Sequence, residues 1–270
     1  MTERPVEGTG GTLALEETGA GAPVVLLHGL TATRHYVVMG SNALERSGHR
    51  VIAYDARGHG RSSPAAAYDY PSLADDLEAV LDASGIDRAT LAGASMGAHT
   101  IARFALDRPR RVAAAVLITP AHDPETAGDP ASLARWDALG AGLREGGVEG
   151  FVVAYDDGQI PQRWRETALT VVRQRLAAHE HPEAVADALE AVPRSHPFEA
   201  WSDLAQMDIP AVIVASRDEA DPGHPYATAE RWSRELPHAH LVVEEPGRSP
   251  LAWQGAQLSR IIAGVVSPAR

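Results

Sequence analysis

Short apolar runs punctuate the chain. Each closes in a turn-rich loop and is followed by a longer stretch with apolar positions at helical spacing, a rhythm that predicts a mainly parallel sheet with crossover helices. Strands buried on both faces read as unbroken hydrophobic runs, and four stand out at residues 24–27, 51–54, 113–118 and 211–215. Weaker runs at 90–93 and 240–243 predict two more strands, and 12–15 predicts an antiparallel leading strand. Between them, Leu73, Leu77, Val80 and Leu81 fall on one face of a helix predicted over 71–83, with Asp75, Asp76 and Glu78 opposite. Further helical patterns cover 98–106, 227–235 and 251–265.

The rhythm breaks between about Pro120 and Asp208. Helical patterns at 132–143, 161–178 and 182–191 dominate there, punctuated by Gly147, Gly150, Pro182, Pro193 and Pro197. Only 151–154 reads as strand-like. The expected organisation is an α/β core from residues 1–119 and 209–270, with 120–208 a helical insertion over the sheet edge.

Composition narrows the chemistry. The 270 residues contain no cysteine, which excludes disulfide frameworks, thiolate metal sites and a cysteine nucleophile. All 24 basic side chains are arginine, so Schiff-base and phosphate-loop lysines are absent. The net charge of -12 disfavours nucleic acid and anionic membrane surfaces. No apolar run approaches the length needed to cross a bilayer, and residues 1–11 lack an apolar leader, so a soluble, cytoplasmic protein is expected. Neither a metal-ligand cluster nor a dinucleotide glycine fingerprint occurs, so no cofactor is expected. The expected partner is a small-molecule substrate.

The strongest chemical signal is Gly93-Ala94-Ser95-Met96-Gly97, directly after a short strand and before a helical pattern. A serine between glycines there can sit on a sharp strand-to-helix turn, its hydroxyl projecting from the sheet. Earlier, the run 24–27 ends in His28-Gly29-Leu30, where glycine can aim the next backbone N–H into a pocket. A polar glycine-rich loop, Asp55 to Ser62, follows the next strand.

These elements, in this order, resemble the α/β-hydrolase superfamily, of the kind with a helical cap between the sixth and seventh sheet strands. The resemblance implies an α/β-hydrolase fold of eight-stranded type, a nucleophile at Ser95, and an oxyanion hole from the N–H groups of Leu30 and Met96. The family's carboxylate matches Asp221 best, with Asp218 second. The family then has Gly-His after its last strand, where this chain has Gly247-Arg248. Arginine stays charged at all working pH and lacks a lone pair, so Arg248 cannot take a proton from Ser95. It can pair with a carboxylate or hold an anion. Another base is then required, and His122 and His224 are the candidates on neighbouring loops, with His181 and His196 reaching from the insertion.

Three functions compete. The first is a serine hydrolase of a small ester, lactone or amide-like substrate with a non-standard triad. Next comes a non-hydrolytic enzyme of the same fold, with Arg248 anchoring an anion. The third is a catalytically degenerate small-molecule-binding protein. Trp136, Phe151, Trp164 and Phe198 are candidate pocket walls, whereas Trp201 and Trp253 read as packing.

Overall fold

The computed structural model describes residues 2–156, 158–244 and 253–266. Eight strands form one sheet: β1 (Thr2–Gly8), β2 (Gly11–Gly19), β3 (Ala22–Leu27), β4 (His49–Tyr54), β5 (Ala89–Ala94), β6 (Val112–Ile118), β7 (Ala211–Ala215) and β8 (Ala239–Val243). Their spatial order is β1-β2-β4-β3-β5-β6-β7-β8. The β1–β2 and β2–β4 pairs are antiparallel and every other pair is parallel. The leading strand expected over 12–15 is β2. The sequence reading lacked β1, whose only buried side chain is Val6. An edge strand bearing Pro5 and three charged residues has no core-facing run to display.

The helices are α1 (Ala43–Arg46), α2 (Tyr70–Ala83), α3 (Met96–Asp107), α4 (Pro130–Tyr155), α5 (Gln162–Leu176), α6 (Pro182–Ala191), α7 (Tyr226–Glu235) and α8 (Gly255–Val265). Alternation along β3 sorts the two faces. Val25 and Leu27 join Leu77 of α2, Ile101 and Phe104 of α3 and Trp232 of α7 in one cluster. On the other face, Val24 and Leu26 meet Leu44 of α1 and Leu258 and Ile262 of α8. A parallel strand covered on both sides buries every residue, which is why its sequence reads as continuous apolar.

A third cluster joins Leu139, Phe151, Leu169 and Val185 of α4–α6 to Leu30, Tyr70, Leu73 and Met96 at the sheet's carboxyl end. Residues 151–154 are therefore helical, not strand-like. Gly147, with φ of 59°, breaks α4, and beyond it Gly150 packs so close to Gly142 that a Cβ would lie 2.1 Å from the Gly142 carbonyl oxygen. Phe151 and Val152 are apolar because they face this helical layer. The last helix begins at Gly255 rather than in the expected run from 251, because Gln254 caps it through a backbone N–H bonded to Gln257 Oε1. Residues 251 and 252 lie outside the described residues. Among the described residues, no helix is long and apolar enough to cross a membrane.

Candidate active site

β5 runs straight into α3 through Ser95, whose φ of 51° and ψ of −112° are rare for a residue with a side chain. Small neighbours make the turn feasible. A Cβ on Gly93 would meet the Gly97 carbonyl carbon at 2.4 Å, and one on Gly97 would meet the Leu27 carbonyl oxygen at 2.3 Å. Strand and helix thus touch backbone to backbone. The Ser95 N–H donates to the Ile118 carbonyl at 2.9 Å, fixing the turn to β6. Its side chain is partly exposed and makes no hydrogen bond among the described residues. Met96 is the first residue of α3, so its N–H has no intrahelical acceptor.

The loop after β3 lies opposite. A Cβ on Gly29 would come within 3.5 Å of Ser95 Cβ, which brings this loop against the turn at Ser95. His28 Nε2 accepts from the Ala56 N–H at 2.9 Å while Nδ1 lies 2.8 Å from the Gly29 carbonyl. Burial, reinforced by His59, pushes the His28 pKa down to about 3, so the ring is a neutral brace. Beneath the loop, buried Asp55 accepts from the Arg34 guanidinium and backbone N–H and from the Arg61 N–H. His59 Nε2 lies 2.7 Å from the Leu30 carbonyl. His179, just past α5, completes the support, with Nδ1 accepting from the Gly60 N–H at 2.9 Å and Nε2 3.3 Å from the Thr31 carbonyl.

The loop after β7 carries a histidine–carboxylate pair. His224 Nδ1 lies 2.8 Å from both carboxylate oxygens of Asp221. Burial works against both charges, but each group outweighs it for the other. The Asp221 carboxyl lies below its ordinary range, and the His224 imidazole lies above its own despite opposition from Arg175. With Nδ1–H committed to the carboxylate, His224 Nε2 carries no hydrogen bond among the described residues. Asp218 instead shapes the loop, its backbone N–H bonded to Ser216 Oγ and its carboxylate to the Ala220 N–H.

Two further histidines that line the cavity, His99 and His122, are committed elsewhere. His99 Nε2 accepts from the backbone N–H groups of Ala121 and His122 at 2.9 and 3.0 Å, so its proton sits on Nδ1, 2.9 Å from the Tyr70 hydroxyl. Burial holds His99 well below its ordinary pKa. His122 Nε2 bonds the Phe198 carbonyl at 3.0 Å, and burial lowers its pKa to about 4.

One cavity of about 450 Å³ takes in Ser95, Leu30, Met96, Asp218, Asp221, His122 and His224, with Leu139 and Phe151 of α4 and Val172 of α5 among its apolar walls. Trp136 and Trp253 line it; Trp164 and Phe198 do not. Phe198 packs in the main core, edge-on to His122 at 4.7 Å. His181 and His196 also lie off the cavity lining, and no described histidine hydrogen-bonds Ser95. Arg248 lies outside the described residues. Two residues that the sequence did not single out are Arg175, in the last turn of α5 and facing the cavity, and His179, just beyond that helix; the helical periodicity shows packing but not which polar side chains turn inward.

A family model described as alpha/beta hydrolase fold matches residues 22–255. A putative carbamate hydrolase RutD of Variovorax paradoxus is 32% identical over 204 residues, covering 74% of this chain and 75% of the relative. The 2-hydroxy-6-oxononadienedioate/2-hydroxy-6-oxononatrienedioate hydrolase 2 of Pseudomonas putida is 30% identical over 218 residues, covering 77% and 75%. A thermophilic esterase from Thermogutta terrifontis superposes with a TM-score of 0.80 at 23% identity, covering 99% of this chain and all of that one, a likeness of fold.

Proposed function

The chain belongs to the α/β-hydrolase family, and from that premise we propose that it is a serine hydrolase of a small ester, lactone or amide-like substrate in which His224, not a histidine after β8, is the general base. The Asp221–His224 pair carries the reading. Among the described residues it leaves Nε2 unengaged in the cavity that Ser95 enters, the arrangement a base needs. In the turnover we infer, Ser95 Oγ attacks the carbonyl carbon and passes its proton through a bridging water to His224 Nε2. The N–H groups of Leu30 and Met96 hold the oxyanion. The imidazolium returns the proton to the leaving oxygen or nitrogen, and water then hydrolyses the acyl-Ser95 ester with His224 again as base. Asp221 holds the ring in the required tautomer and stabilises its charged form. Residues 1–119 and 209–270 act as the catalytic core and 120–208 as the cap that limits substrate size.

Assays with short p-nitrophenyl esters test this. Ser95→Ala and His224→Gln should each lower kcat by about 10³-fold or more, with unchanged melting temperature for Ser95→Ala. Undiminished turnover in Ser95→Ala would refute the serine mechanism. Arg248→His, which restores an imidazole at the family's usual position, should raise turnover.

A further inference from the structure

Arg175 lies in the last turn of α5 and faces the same cavity as Ser95. Its neighbours on that helix are paired with carboxylates: Arg163 with Glu219, Arg165 with Asp156 and Arg173 with Glu149. Arg175 has no ion pair among the described residues, and its Nε is buried with no hydrogen-bond partner. The guanidinium packs over the Tyr36 ring, 5.7 Å from its centroid. That contact helps hold the cationic head in place without neutralising its charge.

An unmet donor on a permanent cation is costly, and the other lining groups do not meet it. Asp221 is bound by His224, Asp218 is turned to its own loop, and Asp123 accepts from the Glu125 N–H. Arg175 nevertheless acts on the dyad through space, favouring the charged form of Asp221 and opposing that of His224. An anion at the cavity-facing end of the guanidinium would neutralise its unpaired charge and relieve this opposition.

We propose that Arg175 is the specificity-determining anchor for a free carboxylate on the substrate, so that the preferred substrates are acidic acyl compounds: a half-ester or a lactone bearing a carboxylate. The predominantly apolar remainder of the cavity holds the carbon chain between that carboxylate and the carbonyl at Ser95. This substrate class rests on the serine-hydrolase reading above, whereas carboxylate binding at Arg175 does not.

The test compares p-nitrophenyl acetate with the p-nitrophenyl half-esters of succinate and glutarate. In the wild type, kcat/KM should favour a half-ester. The half-ester to acetate ratio should fall roughly 10- to 100-fold in Arg175→Gln, and Arg175→Lys, which keeps the charge but loses the fork, should recover part of it. A wild type with no preference, or an Arg175→Gln variant with an unaltered ratio, would overturn the proposal. A second measurement is independent of turnover: calorimetric binding of glutarate to wild type, Ser95→Ala and Arg175→Gln. Binding retained by Ser95→Ala and lost in Arg175→Gln supports the anchor even if no ester is hydrolysed. Absence of glutarate binding to the wild type, or tighter binding of inorganic phosphate, overturns the carboxylate assignment.

Discussion

Replacing Gly97 with alanine probes the contact on which the turn at Ser95 depends. Gly97 is the second residue of α3 and its backbone is helical, so the substitution adds no backbone strain, and helix propensity alone favours alanine by up to about 1 kcal/mol. Packing opposes it. The new Cβ would lie 2.3 Å from the Leu27 carbonyl oxygen, 2.6 Å from its carbonyl carbon and 2.8 Å from its Cβ. Carbon contacts rest at about 3.5–4 Å, so α3 must withdraw from β3 by about 1 Å. Ala98, Ile101, Ala102 and Ala105, all buried on that helix, lose contact as it moves. Overpacking of this kind costs about 1–3 kcal/mol, and after the propensity gain of about 1 kcal/mol a net loss of up to about 2 kcal/mol remains. For a chain of 270 residues that corresponds to a melting temperature lower by up to about 4 °C. The same withdrawal carries Ser95 and the Met96 N–H away from Leu30, and a shift of about 1 Å in such a site costs roughly 10²-fold in rate. Thermal denaturation and turnover of a short ester measure both. A variant that melts within about 1 °C of the wild type, at undiminished turnover, would show that the close approach of α3 to β3 is not what holds the turn.

Two pH experiments follow from the histidines. Because Asp221 holds the His224 pKa above 6.5 and a base must be neutral, kcat/KM should climb with pH through a midpoint above that value. Asp221→Asn should move the midpoint down and lower the plateau by 10²-fold or more; an unmoved midpoint would remove Asp221 from the pair. Stability should show the opposite sense of linkage. Burial depresses His28 to about 3 and His122 and His179 to about 4, and holds His59 and His99 below their ordinary value, so on acidification the unfolded chain takes up these protons first. Their contribution is intact above about pH 6.5 and declines toward pH 4, by up to about 1.4 kcal/mol per pH unit for each ring, with only the raised His224 working against the trend. Urea midpoints at pH 7 and pH 5 measure this, and equal midpoints would contradict it.

Much of the architecture was legible because burial on two faces leaves a local trace. Strands β3, β4, β6 and β7 appear as unbroken apolar runs, and α2 as a stripe of leucines and Val80, since each segment meets the same environment along its length. The edge strand β1 has almost no buried face and left no such trace. Residues 151–154 misled because four apolar residues in a row fit a strand and a buried helical turn equally well; the break at Gly147 and the packing against Gly142 decide between them.

The chemistry divides in the same way. Gly93 to Gly97, the His28-Gly29-Leu30 strand end and the arginine at position 248 are properties of adjacent residues, and the sequence alone places a serine on a tight turn without a histidine where the family usually has one. Which histidine stands beside a carboxylate is a property of space. Among the candidates the sequence left open, His224 meets Asp221 through Nδ1, with Nε2 unengaged among the described residues, while His122 is committed through Nε2 to the Phe198 carbonyl. Arg175 and Ser95 are far apart in the chain and face one cavity only because α5 folds back over the sheet's carboxyl end. Local spacing determines what a segment can form; side chains from distant segments converge only when packing fixes both the distance between elements and the direction each residue points.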